Sequence, residues 1–112
     1  MTEPVGGGVQ RRRGVRFVLS AKVIYRWKDA SGRDRESIGR TRDISLLGAF
    51  IFAPSSPPIL TPVSLEIELP PLQPSASQRL TLEGKGRVIR STSTDQESGF
   101  AAACRFDLNG PG

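Results

Sequence analysis

Hydrophobic and polar residues alternate along most of this chain with a period of two, the pattern of strands that bury one face. From Phe17 the odd positions read Phe17, Leu19, Ala21, Val23, Tyr25 and Trp27, while Ser20, Lys22, Arg26 and Lys28 lie between them. One strand is therefore predicted from Phe17 to Lys28. Asp29 to Asp34 is turn chemistry centred on Ser31 and Gly32. A second strand is predicted from about Arg35 to Arg42, and the short apolar run Gly48 to Ala53 reads as a third. Three prolines within residues 54–58 then forbid regular structure. Val63, Leu65, Ile67 and Leu69 alternate with Ser64, Glu66 and Glu68 in the clearest strand of all. After a proline-rich loop at residues 70–78, Leu80, Leu82, Gly84, Gly86 and Val88 share one face of a fifth strand. Its two glycines lead us to expect a bulge or sharp bend there. Phe100, Ala102, Cys104 and Phe106 mark the sixth.

No segment carries a helical stripe of useful length. Six strands at these spacings predict an all-β fold, a small six-stranded antiparallel barrel. Residues 1–10, with three consecutive glycines, read as a flexible tail. The folded domain is expected over residues 11–108 and includes an N-terminal arginine loop. Residues 109–112 form a C-terminal tail too short for a substantial helix.

Composition narrows the chemistry. The chain has 112 residues, enough for one domain and one core. It contains no histidine, so imidazole bases, Ser-His-Asp and Cys-His catalysis are excluded, and most zinc chemistry with them. The single cysteine, Cys104, cannot close an internal disulfide and falls on an apolar face, where core packing explains it better than nucleophilic chemistry. Glu66 and Glu68 alternate with core positions and read as a solvent face rather than a catalytic pair. No run approaches ~20 apolar residues, which rules out a transmembrane helix, and no apolar signal segment is present. We expect no enzyme, no cofactor and no metal, in a cytoplasmic protein.

Charge is distributed unevenly. The net charge is +5, but residues 1–42 hold eleven Lys/Arg against four Asp/Glu, whereas residues 43–112 hold five against seven. Most of the N-terminal cations are arginines, whose planar forks suit phosphates and guanine edges. An anionic partner follows, with a solvated basic face as the alternative.

Two clusters can carry such binding. Arg12 and Arg16 stand four apart beside Gly14, on a segment able to close over an anion; the same run, with Arg11 and Arg13, also reads as a solvated arm. Asp43, Ser45 and Gly48 lie at a strand-to-strand connection. A carboxylate accepts from the N1–H and N2–H of guanine, a hydroxyl donates or accepts, and a glycine permits close approach. A plain turn in which Asp43 and Ser45 cap their own backbone uses the same residues.

Taken together and in this order, Arg-x-x-x-Arg at Arg12 and Arg16 and Asp-x-Ser-x-x-Gly at Asp43, Ser45 and Gly48 resemble the PilZ domain family. Gly86-Arg-Val-Ile-Arg90 and Gly99 to Phe106 look like its closing strands, so the resemblance spans residues 10–107. It implies a PilZ-like split barrel that binds the second messenger cyclic di-GMP. By position, Arg12 and Arg16 would engage guanine and phosphate, Asp43 and Ser45 would read a guanine edge, and Gly48 would shape the turn. Arg11 would add a neighbouring cation. Members often carry a C-terminal helix, which this chain lacks room for, and the signal would pass to a separate effector protein. The alternative is a PilZ-like interaction module that does not bind the nucleotide. A single-strand nucleic-acid binder fits poorly, because the aromatic residues fall on faces that look buried and residues 43–112 are net acidic.

Overall fold

A computed structural model describes residues 16–70 and 80–109 of the chain. All of its regular structure is β: β1 (Phe17–Val18), β2 (Lys22–Lys28), β3 (Asp34–Ser45), β4 (Gly48–Phe52), β5 (Pro62–Leu69), β6 (Leu80–Ser93) and β7 (Ser98–Asn109). No helix occurs among the described residues. The strands are hydrogen-bonded in the order β1-β3-β2-β5-β6-β7-β4, and β3 also pairs with β4. That last pairing closes six strands into an antiparallel barrel and leaves β1 as a short extra strand on β3. Closure removes the open sheet edges that invite aggregation.

The barrel fills from the alternation read in the sequence. Val23, Tyr25, Ile51, Ile67, Val88 and Phe100 are fully buried at its centre. Tyr25 stacks on Trp27 with ring centroids 5.4 Å apart and meets Phe100 edge-on at 5.0 Å. Its hydroxyl donates to the Ser55 carbonyl at 2.7 Å, which ties the proline-rich loop after β4 to the core. Cys104 belongs to the same core cluster, and burial pushes its thiol up to about 11. A thiol raised in this way stays protonated at neutral pH and is a poor nucleophile. A thiol-reactive dye at pH 8 is expected to label Cys104 slowly in the native protein and fully in denaturant; rapid native labelling would contradict its burial. The sign of the linkage follows: the folded state favours the neutral thiol, so stability declines as pH rises from about 9 toward about 11.

Three sequence expectations are corrected. The strand predicted from Phe17 to Lys28 is split. Lys22 pairs with Arg40 but Val18 pairs with Asp43, four residues on one side against three on the other. The buried Thr41 hydroxyl bridges the break, accepting from the Ala21 N–H at 2.9 Å and donating to the Leu19 carbonyl. Second, β3 runs through to Ser45, so Asp43 and Ser45 sit on a strand, and only Leu46 and Leu47 form the connection. Third, the register of β6 against β7 is unbroken through Gly84 and Gly86; the shift comes between Val88 and Arg90. Gly86 serves close approach instead: a Cβ there would fall 1.7 Å from the Ala103 carbonyl oxygen.

Candidate functional site

Two β-bulges build one surface row. In β3, Thr41 pairs with Ile51 and the next pair is Asp43 with Phe50, so Arg42 is an extra residue. Side chains alternate on a regular strand, so without the bulge Asp43 would share the inward face of Thr41; the extra residue turns its carboxylate outward. In β6, Val88 pairs with Ala102 and the next pair is Arg90 with Ala101, so Ile89 is extra. The same argument turns Arg90 outward. Since Phe50 also pairs with Ala101, Asp43, Phe50, Ala101 and Arg90 stand side by side across β3, β4, β7 and β6. Phe50 and Ala101 are buried yet lie outside the interior core cluster, as residues of the outer face must. The adjacent row is Ser45, Gly48, Ala103 and Arg87.

Asp43 is held from both sides. Its Oδ1 accepts from Arg16 Nη1 at 3.0 Å and its Oδ2 from Arg42 Nε at 2.7 Å. The carboxylate is only 9% exposed, against 53% for the Arg16 side chain and 36% for that of Arg42. Arg42 also lies 4.1 Å above the Phe50 ring and reaches Glu97 at 3.7 Å. With both oxygens accepting from guanidinium groups, the Asp43 side chain serves this site as an acceptor.

Ser45 forms the local turn that the plainer sequence reading allows: its Oγ accepts from the Leu47 N–H at 3.2 Å and donates to the Gly48 carbonyl at 3.4 Å. Asp43 departs from that reading, since its partners are arginine side chains rather than its own backbone. Gly48 begins β4 where β7 passes closely, and a Cβ on it would meet the Ala102 carbonyl oxygen at 2.1 Å. The turn needs glycine for space.

A shallow pocket of about 180 Å³ lies over this face, with Arg16, Asp43, Ser45 and Gly48 on one side and Ile89 and Arg90 on the other. The structure thus gathers four of the six residues named from the sequence. Arg11 and Arg12 lie outside the described residues. Arg42, Phe50, Ile89 and Arg90 were not legible as site residues. The only trace they leave in the sequence is broken alternation: three polar residues at Thr41-Arg42-Asp43 and two adjacent apolar ones at Val88-Ile89.

Larger grooves run along the outer faces of β2, β5 and β6, but their charges are largely matched: Arg26 with Glu36 and Glu66, and Lys28 with Asp34. Among the described residues no group of His, Cys, Asp or Glu is placed to hold a metal ion, and no helix could cross a membrane.

A family model described as the PilZ domain matches residues 10–111. No curated protein and no solved structure matches the chain.

Proposed function

Because the chain belongs to the PilZ domain family, a family of cyclic di-GMP receptors, we propose that it binds cyclic di-GMP over the outer row of β3 and β4 and relays the signal to a separate protein. One observation carries the reading: Arg16 and Asp43, 27 residues apart in the chain, meet at 3.0 Å beside Ser45 and Gly48 on a single pocket.

The chemistry follows from these groups. The Asp43 carboxylate is an acceptor fixed in direction by Arg42 and suits the N1–H and N2–H donors of guanine. Arg16 is half-exposed, so a rotation of its side chain exchanges an Asp43 oxygen for a phosphate. Ser45 offers its hydroxyl beside the carboxylate. Arg12 supplies the second fork of the arginine motif and Arg11 a neighbouring cation. No step breaks or makes a covalent bond, which makes this a binding module rather than an enzyme.

The signal in this reading is a loop that closes. Fixing residues 11–16 over the ligand costs roughly 1–2 kcal/mol per residue in backbone entropy. Charged hydrogen bonds contribute about 1.5–3 kcal/mol each, so at least about four or five of them are needed to offset it. The closed loop and the barrel face beneath it then form a surface that the effector recognises.

Calorimetric titration with cyclic di-GMP, beside GTP and cyclic di-AMP, tests the reading. Micromolar or tighter binding, selective for the guanine dinucleotide and lost in Arg12→Ala, is expected. Absence of heat at high ligand concentration would leave the barrel as an interaction module that does not use the nucleotide.

A further inference from the structure

We infer that Arg90 is a third arginine of the nucleotide site, gripping a phosphodiester of the ligand from the side opposite Arg16. The inference rests on the receptor reading above and extends it to a residue outside both sequence motifs.

Placement is the first argument. Arg90 ends the row that begins at Asp43, with Phe50 and Ala101 between them. Three strand spacings separate the two ends, about 14 Å between backbones, and the long side chains at each end shorten the gap. The floor is apolar and low, with Phe50 2% and Ala101 8% exposed. Phe50 is covered by the Arg42 guanidinium, so a ligand lying across this span meets charged groups at its two walls.

Availability is the second. Arg16 and Arg42 are engaged with Asp43, and Arg42 also with Glu97. Arg90 takes part in none of the ion pairs among the described residues, although it lines the same pocket as Arg16 and Asp43. An exposed guanidinium that pairs with no carboxylate among the described residues meets an anion without first breaking an ion pair to them.

The bulge is the third. The residue inserted at Ile89 breaks the longest ladder of the barrel, and its geometric effect is to bring Arg90 onto the outer face in line with Asp43. Bulges commonly re-aim a side chain at a functional site. The bulge at Arg42 does the same for Asp43 at the other end of the row. Two such irregularities, one at each end, mark the row as a built surface.

The test compares cyclic di-GMP binding by wild type, Arg90→Gln, Arg90→Lys and Arg105→Gln, with the thermal midpoint of each. Arg105 lies on β7 in a separate groove beside Arg26 and Glu66, and its substitution removes the same charge elsewhere. The expected result is at least about tenfold weaker binding for Arg90→Gln, a smaller loss for Arg90→Lys, and an affinity within about twofold of wild type for Arg105→Gln. The salt dependence of binding should also flatten in Arg90→Gln alone. Wild-type affinity in Arg90→Gln, with binding intact in the unsubstituted protein, overturns the inference but not the receptor reading. Equal losses in Arg90→Gln and Arg105→Gln also overturn it, since general positive charge would then account for the effect. A wild type that binds no cyclic di-GMP overturns the receptor reading, and the inference with it.

Discussion

A Gly86→Val variant is expected to lose a large share of the stability of the fold. A Cβ at this position would stand 1.7 Å from the Ala103 carbonyl oxygen, 2.7 Å from its carbon and 2.8 Å from the Cys104 Cα. All three are backbone atoms of β7, so no rotamer change relieves the clash, and β6 and β7 must separate where they pair from Thr81 to Ser93. That ladder holds Val88, Ala102 and Cys104 in the core. Overpacking that side chains can absorb costs roughly 1–3 kcal/mol. A backbone collision inside the longest ladder should exceed about 3 kcal/mol, a large share of the 5–15 kcal/mol typical of a domain. Urea unfolding followed by the fluorescence of Trp27, the one tryptophan, reads the effect directly. A midpoint equal to wild type would mean that β6 and β7 do not approach as described.

The second large effect is on binding. Asp43→Ala should reduce cyclic di-GMP affinity by more than about a hundredfold, because two charged hydrogen bonds of about 1.5–3 kcal/mol each are lost. The fold should survive. Arg16 and Arg42 are 53% and 36% exposed, so water can solvate both guanidinium groups once the carboxylate is gone. Lost ion pairs of this kind cost about 1 kcal/mol, a shift of roughly 4–8 °C in thermal midpoint. Asp43→Asn keeps the shape and removes the charge, and serves if the alanine variant folds poorly. Calorimetry and a thermal melt on the same samples separate the two effects. Wild-type affinity in both variants would remove Asp43 from the site.

Much of the barrel was legible because period-two alternation reports burial directly. Val63, Leu65 and Ile67 face the core from β5 as expected, and Phe100, Ala102 and Cys104 do so from β7. Boundaries were less legible. β6 continues beyond Val88 to Ser93, through Arg90-Ser-Thr-Ser that carries no apolar alternation at all. Those residues are extended because β7 lies beside them: Ser91 pairs with Phe100 and Ser93 with Ser98. The break between β1 and β2 is hidden for a related reason. Leu19 and Ala21 keep the odd apolar pattern, but the Thr41 hydroxyl takes the place of one backbone partner for each, accepting from the Ala21 N–H and donating to the Leu19 carbonyl, while their other backbone groups still bond to Thr41 and Arg42.

The sequence by itself determined that this is a β barrel, which residues line its core, and which two motifs hold the polar residues on which the proposed site rests. Residue type is enough for that, since burial and hydrogen-bonding capacity belong to each side chain. Only the tertiary structure decided which way Asp43 and Arg90 point. An extra residue in one strand reverses the facing of everything after it, and whether a residue is extra depends on the register of the neighbouring strand. Arg42 is a bulge only against Ile51 and Phe50, and Ile89 only against Ala102 and Ala101. Pairing across strands is a property of the closed barrel, so the row from Asp43 to Arg90 exists in the fold and nowhere along the chain.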